Sequence, residues 1–589
     1  MQCHLPWARA LGALALFASA FTVSAHAAAT PALALAQDAA VATEQEADLR
    51  SLFDVEAYEL QLAVRPSTTT LEGVATVRAT ALAEAVDRVQ LDLYDLYEVL
   101  EVRQGEQPIE FERIEQGLIA KLARPAQPGE AFDVTVHYRG QPEGKGFDGF
   151  HWETSEDGSP WINTSCQGLG AHYWYPCKAS YFHPEDKPAR VSMAIVCPAD
   201  LYGVSNGRLV EVVDAAPDWF ATKGEDFKTY RWRHDYPLET YSVTLNVGPY
   251  VVVETELQLQ GLYQKVPFIY YVLPENVEKA KVQFAQVPEL LKIFSEAFGP
   301  WPFPDSKFAL VETNFWGMEH STAVAYGSSY PLWCEQSGEP DRYASRNRWF
   351  DYILVHEVAH EWWGNAVSAE HWGHFWIHEG LGTYAEGVYV EATRSRADAD
   401  RYFVEQGRRI STRKGRLYRG DKPASGDAYS GLIYSKGACV MNTLRHYVDD
   451  DDAWWGTLRS FNALFRYKNA TTEDFRKVLE ERAGVDREQF FTEWIYGEGT
   501  PALEITVGAP EGQVQVEVDN TNGTFHVPLD VAWEEGGETR RERLWVPPGK
   551  HELTVTQSGP AANARIEHLD RLLGKHEVNG EAVPPKSGR

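Results

Sequence analysis

The chain has 589 residues, of which 44% are hydrophobic and 24% charged, with a formal net charge of -30. This length exceeds what one hydrophobic core organises, so about two to four domains are expected. The carboxylate excess disfavours nucleic acid and anionic lipid as partners, since both would be repelled, and says little about a small or peptide substrate.

Residues 1–27 carry Arg9, the short apolar run LGALALFASAFTVSA and the small-x-small end Ala25-His26-Ala27, the pattern of a cleaved export signal. The run is short for a membrane-spanning helix, and no later stretch is long and uncharged enough to form one, so no stable membrane span is expected. An exported protein, periplasmic or extracellular, is the expectation. Removing Cys3 with the signal leaves Cys166, Cys177, Cys197, Cys334 and Cys439, an odd number. Cys166 and Cys177 could close a short loop or remain buried thiols.

Residues 28–49 are Ala-rich and short of large apolar side chains, which reads as a flexible lead-in. From 50 to 253 the runs VEAYELQLAV, EGVATVRATAL, RVQLDLYDL, FDVTVHYRG, ARVSMAIVC and YSVTLNVGPYVVV alternate between turn residues, predicting an antiparallel N-terminal β-domain. From 254 to 500 the period changes. Phe284, Val287, Leu291, Phe294 and Phe298 mark one face of a helix that Pro288 should kink, and further helices are predicted near 346–363, 376–393, 436–448 and 472–483. Alternation returns over 501–578 in GQVQVEVDN, FHVPLDVAW, RERLWV and KHELTVT, as in a small β-sandwich, with 579–589 left as a tail. The fold class is multidomain α+β.

Within the helical region, ILVHEVAHEWWGN contains His356-Glu357-x-x-His360. Histidines at i and i+4 project from one helix face and can reach one ion, with the intervening glutamate beside the open position, as zinc hydrolysis requires. The extended metzincin pattern is excluded, because Trp363 and Ala366 stand where it needs glycine and histidine. After eighteen intervening residues from His360, Glu379 in a second predicted helix would complete a two-histidine, one-carboxylate site with one position open. His371, His374 and His378 also carry a suitable donor.

Together GMEH, HEVAHEWWGN and HEGLGTYAE resemble the M1 family of zinc aminopeptidases, which are gluzincins and include aminopeptidase N. FGPWPFP, IYSKGACVMNTLR, FFTEWIYGEGTPALEI and SCQGLGAHYWYPC extend the resemblance to about residues 50–507. It implies an N-terminal saddle-like β-domain, a thermolysin-like, mostly α catalytic domain and a C-terminal Ig-like β-sandwich, in a short form without the family's large helical domain. It assigns one zinc ion per chain to His356, His360 and Glu379, and general acid/base work to Glu357. Glu319 would bind the substrate α-amine, with Gly317 and Met318 in the same exopeptidase segment along the substrate and Gln167 helping to hold the amine. Tyr434 would donate to the oxyanion, and Glu386 could either support a zinc ligand or be an exposed helix carboxylate. Three positions depart from the family pattern: Trp316 replaces a glycine, and His320 and His378 each replace an asparagine. The expected activity is removal of N-terminal residues from peptides with a free N-terminus; the alternatives are a thermolysin-like endopeptidase on the same site and an inactive peptide-binding homologue.

Overall fold

The computed structural model describes residues 48–583, apart from 83, 328–329, 339–349, 411–413, 422, 485 and 523. The expected export signal, and all but the end of the expected lead-in, lie outside the described residues.

Along Phe53–Arg65, Phe53, Val55 and Ala57 are buried while Asp54 and Glu56 face solvent, the period of two that a strand with one wet face requires. This strand lies inside an eight-stranded sheet, antiparallel to Thr70–Ala81 but parallel to Arg190–Pro198. The arrangement is therefore not wholly antiparallel: a parallel pair needs a long crossover, and the chain between the two strands supplies it. A second, five-stranded sheet contains Pro160–Ser165, and Gln167 follows two residues past its end. YSVTLNVGPYVVV, predicted as one strand, is broken. Thr240–Ser242 forms a 3₁₀ turn, and Asn246–Gly248 and Val251–Leu257 join different sheets on either side of Pro249, which has no N–H to continue a ladder.

Val251–Leu257 enters a five-stranded sheet in the order Val251–Leu257, Val266–Val272, Phe308–Thr313, Val324–Gly327, Gly317–Met318. The sequence reading of the middle region as mostly α missed this sheet, because Phe308–Thr313 and Val324–Gly327 are buried throughout and show no polar alternation. Along Phe308–Thr313, Phe308 and Leu310 pack into the core shared with the helices, while Ala309 and Val311 pack into the core of the N-terminal β-structure. One strand thus joins the two cores. Gly317–Met318 forms the sheet edge, with Gly317 opposite Tyr326 and Met318 opposite Ala325.

Helices form at Tyr352–Ala359, Trp376–Thr393, Gly437–Val448 and Thr472–Ala483. The first is shorter than predicted. Asp351 caps it by accepting from the Leu354 N–H, a contact worth about 1 kcal/mol, and the helix ends with His360 as its C-cap. The helix predicted through Phe284 is interrupted one turn before Pro288, as expected: Val277–Gln283 passes through a 3₁₀ turn, Phe284–Gln286, into Val287–Phe298, whose first turn holds Pro288, with no N–H for the Phe284 carbonyl. The helices Arg396–Ile410 and Asp451–Phe465 were not anticipated.

At the C-terminal end, a five-stranded sheet built on Ala502–Gly508 and a three-stranded sheet built on Val527–Glu535 share one core with the helices. Ala502–Gly508 pairs antiparallel with Gln515–Asn520 and parallel with Lys575–Val578. Glu581–Val583 adds a short strand where a tail was expected. Cys166, Cys177, Cys197 and Cys439 are separate buried thiols, so the 166–177 loop is not closed by a disulfide. No helix among the described residues is long and apolar enough to cross a membrane.

Candidate active site

The helix Tyr352–Ala359 presents His356, and its C-cap presents His360 one turn later. The His356 Nδ1–H donates to Glu386 Oε1 at 2.9 Å, and the His360 Nδ1–H donates to the Trp363 carbonyl at 2.8 Å. Each ring therefore keeps an Nε2 lone pair, and the two Nε2 atoms stand 3.2 Å apart. Glu379, in the first turn of Trp376–Thr393, brings Oε2 to 3.4 Å from one and 3.5 Å from the other. That buried oxygen has no hydrogen-bond partner. Two opposed lone pairs and an orphaned carboxylate oxygen repel one another unless a cation lies between them. Their spacing matches the roughly 3.3–3.4 Å edge of a tetrahedron with zinc–ligand bonds of about 2.0–2.1 Å. The donor set fits one zinc ion.

Glu386 is buried against His356 rather than exposed. Its second oxygen accepts from the Tyr402 hydroxyl, Gln406 donates to Tyr402, and Ser435 donates to Gln406 at 2.8 Å. This chain of contacts ends beside Tyr434. Leu432–Lys436 is a π-helical turn, a form that often marks functional positions, and it sets the Tyr434 ring nearly parallel to His356 at 6.0 Å. Burial holds the Tyr434 hydroxyl well above its usual pKa, so it remains a proton donor.

Gly317 runs directly against the ligand helix. A Cβ there would lie 2.8 Å from Glu357 Oε1 and 2.7 Å from Ile353 Cγ2, so only glycine allows the sheet edge to approach so closely. Donor atoms of Glu319, Glu357 and His360 lie within 4.8 Å of one another. Burial pushes the Glu357 carboxyl up to about 8. It also raises Glu319, with the Glu379 charge adding to the shift and His360 opposing it.

Gln167, 152 residues away in sequence, donates to Glu319 Oε1, as does the Tyr241 hydroxyl at 3.2 Å. The Glu319 carbonyl accepts from Asn365 Nδ2 at 2.9 Å, and Asn365 Oδ1 accepts from the Ser242 hydroxyl at 2.8 Å. Glu361 accepts from the Thr322 N–H at 2.6 Å and the Ser321 hydroxyl at 3.2 Å, tying the end of the ligand helix to the segment after Glu319.

All nine residues singled out in the sequence, Gln167, Gly317, Met318, Glu319, His356, Glu357, His360, Glu379 and Tyr434, belong to this region; Met318 packs with Tyr241, Phe315 and Ala325. Trp316 is half-buried, and its carbonyl accepts from the Gly327 N–H at 2.7 Å. His320 is buried with neither ring nitrogen partnered, and burial pushes it down to about 3, so it is neutral.

The rival histidines are engaged elsewhere. His371 and His374 group with Glu370 rather than with His356, His360 and Glu379; His371 Nδ1 accepts from the Gly373 N–H, and His374 Nδ1 is engaged by Thr472. Tyr241, Asn365, Glu361, Tyr402 and Gln406 were missed from sequence. Asn365 and Glu361 lie within the recognised stretch HEWWGN, but nothing local to Tyr241, Tyr402 or Gln406 marks them.

Two histidines and one carboxylate around an open position, with a further carboxylate alongside and helices packed on a sheet, define a zinc metallopeptidase type of site. The chain belongs to the M1 peptidase family: the Peptidase family M1 domain matches residues 282–494 and the Peptidase M1 N-terminal domain matches residues 55–241. It is 22% identical over 418 residues to probable aminopeptidase 2 of Sulfurisphaera tokodaii, covering 68% of this chain and 50% of that protein. To human endoplasmic reticulum aminopeptidase 1 it is 23% identical over 530 residues, covering 80% of this chain and 54% of that protein. The chain thus spans about half the length of these curated relatives. Among solved structures, the M1 zinc metallopeptidase from Deinococcus radiodurans shares the fold with a TM-score of 0.62 at 24% identity, over 76% of this chain and 94% of that one.

Proposed function

We propose that this protein is a zinc-dependent aminopeptidase that hydrolyses the N-terminal peptide bond of peptides with a free amine. The observation that carries this reading is Glu319, a buried carboxylate held by Gln167 and Tyr241 within reach of Glu357 and the zinc donors. A negative group fixed there favours a substrate whose charged amine lies one residue from the bond being cut.

His356, His360 and Glu379 would hold the zinc, which when bound supplies Lewis-acid polarisation of the scissile carbonyl and acidifies the attacking water. Glu357 takes a proton from that water and passes it to the leaving amine, a role suited to a carboxyl that burial holds near neutrality. The Tyr434 hydroxyl donates to the oxygen on which negative charge develops. Gly317 and Met318, on the sheet edge, line the path of the substrate backbone, and Gln167 shares the amine with Glu319. His320, neutral and buried, acts on the shape of this segment rather than on its charge.

The test is a set of aminoacyl chromogenic amides, free and N-acetylated. The reading expects hydrolysis of the free forms and poor turnover of the acetylated ones. Equal turnover of both would instead favour a thermolysin-like endopeptidase on the same site, and none of either, with zinc bound, a peptide-binding homologue. Two further expectations belong to this reading: the C-terminal strands form an Ig-like sandwich, and the N-terminal signal sends the enzyme to the periplasm or outside the cell. N-terminal sequencing of the secreted protein checks the second.

A further inference from the structure

The amine-binding carboxylate is served by a hydrogen-bond chain with a fixed direction. Ala369 N–H donates to His378 Nε2 at 2.9 Å. A ring nitrogen that accepts carries no proton, so the proton of His378 sits on Nδ1. Nδ1 lies 3.3 Å from the Tyr241 hydroxyl oxygen and donates to it. With that oxygen already accepting, the hydroxyl proton of Tyr241 is committed to Glu319 Oε1, 3.2 Å away. One backbone N–H therefore sets the direction of every bond up to the carboxylate.

The chain also bridges two regions. His378 immediately precedes the zinc donor Glu379 in Trp376–Thr393, whereas Tyr241 sits in the 3₁₀ turn Thr240–Ser242 of the N-terminal β-structure. That turn is pinned on several sides: Tyr175 donates to the Thr240 carbonyl at 3.1 Å, Tyr241 N–H donates to Ser180 Oγ at 3.2 Å, and Ser242 donates to Asn365. Among the described residues, the side-chain donors that reach the Glu319 carboxylate, Gln167 and Tyr241, meet on Oε1. Oε2 is then the atom left for an incoming ammonium.

We propose that Tyr241 and His378 are positioning residues for substrate-amine recognition, His378 orienting the Tyr241 hydroxyl so that Tyr241 holds Glu319 Oε1 and turns Oε2 to the amine. The proposal rests on the reading of Glu319 as the amine-binding group. It also gives a use to His378, which departs from the family's asparagine: its Nδ1 occupies the place of an asparagine side-chain nitrogen, and its Nε2 adds the anchor to Ala369.

The experiment compares Tyr241→Phe, His378→Gln, His378→Asn and Glu319→Gln with the parent, each with zinc content measured and KM and kcat determined on a free aminoacyl amide and its N-acetyl form. Tyr241→Phe should keep its zinc and raise KM for the free amide about tenfold, the scale of a hydrogen bond to a charged group, with a much smaller change in kcat and a narrowed preference for the free form. His378→Gln puts its amide in the Nε2 place, loses the donor to Tyr241 and should follow Tyr241→Phe. His378→Asn keeps a donor in the Nδ1 place and should rescue the preference. Should Tyr241→Phe fail to fold, the two His378 variants carry the same test. Glutamine and asparagine behaving alike would overturn the proposal, as would unchanged KM in Tyr241→Phe alongside lost selectivity in Glu319→Gln. Unchanged selectivity in Glu319→Gln would overturn the underlying reading, and the proposal with it.

Discussion

The two halves of the site are built in different ways. The zinc half comes from one stretch of chain: His356, His360, Glu379 and Glu386 lie on two packed helices, and each histidine is oriented by an acceptor of its own within that stretch. The amine half is assembled from four separated segments, contributing Gln167, Tyr241, Glu319 and His378, and is held by uncharged donors acting on one carboxylate oxygen. The zinc half gathers charge that a cation must balance. On the proposed reading, the amine half keeps one carboxylate in place for a charge that arrives with the substrate. Metal retention and substrate selection should therefore be separable by mutation, even though Glu319, Glu357 and His360 stand side by side.

The largest expected effect is loss of all hydrolysis on treatment with chelator, with activity returning when zinc is added back. The metal-depleted protein should also melt at lower temperature, because an ion that binds only the folded state stabilises it. A chelated sample that still hydrolyses amides would remove the zinc half from the mechanism. Next, Glu357→Gln should retain zinc and lose about 10² to 10⁴ of kcat; full activity by stopped assay would mean that another group moves the proton. Glu386→Ala should weaken zinc binding about 10- to 100-fold, read by competition with a fluorescent chelator, while the preference for free over acetylated substrates stays at the parent level. A changed preference there would join the two halves. The smallest change belongs to Gln167→Ala, which removes one of the two donors to Glu319 and should raise KM for free-amine substrates about tenfold or less, with zinc content unchanged.

The same contrast explains what could be read from the sequence. Spacing of i and i+4 is local, so His356, Glu357 and His360 declare themselves, and the helix at 472–483 follows from its periodicity. Fully buried strands carry no alternation, so the sheet that ends in Gly317–Met318 was hidden, although it is what brings Gly317 against Glu357. Tyr241 was read as one more residue of an alternating run, because the turn at Thr240–Ser242 is fixed by distant partners such as Ser180, Tyr175 and Asn365. Glu319 and Gln167 could be paired only through the family resemblance, since nothing in either segment points to the other. His378 could be seen as a competing metal donor and as a departure from the family's asparagine, but not as a partner of Tyr241. Its tautomer, which excludes the metal role, is set by the Ala369 N–H, and no spacing rule reveals it.

The most direct test of the central claim, that Glu319 reads the substrate amine beside a zinc hydrolase centre, is the ratio of kcat/KM for a free aminoacyl amide to that for its N-acetyl form, in the parent and in Glu319→Gln with zinc content matched. With Glu319 holding the amine, the ratio is large in the parent and collapses in the variant, through loss of the free substrate. A ratio near one in the parent, or an unchanged ratio in Glu319→Gln, would contradict that claim.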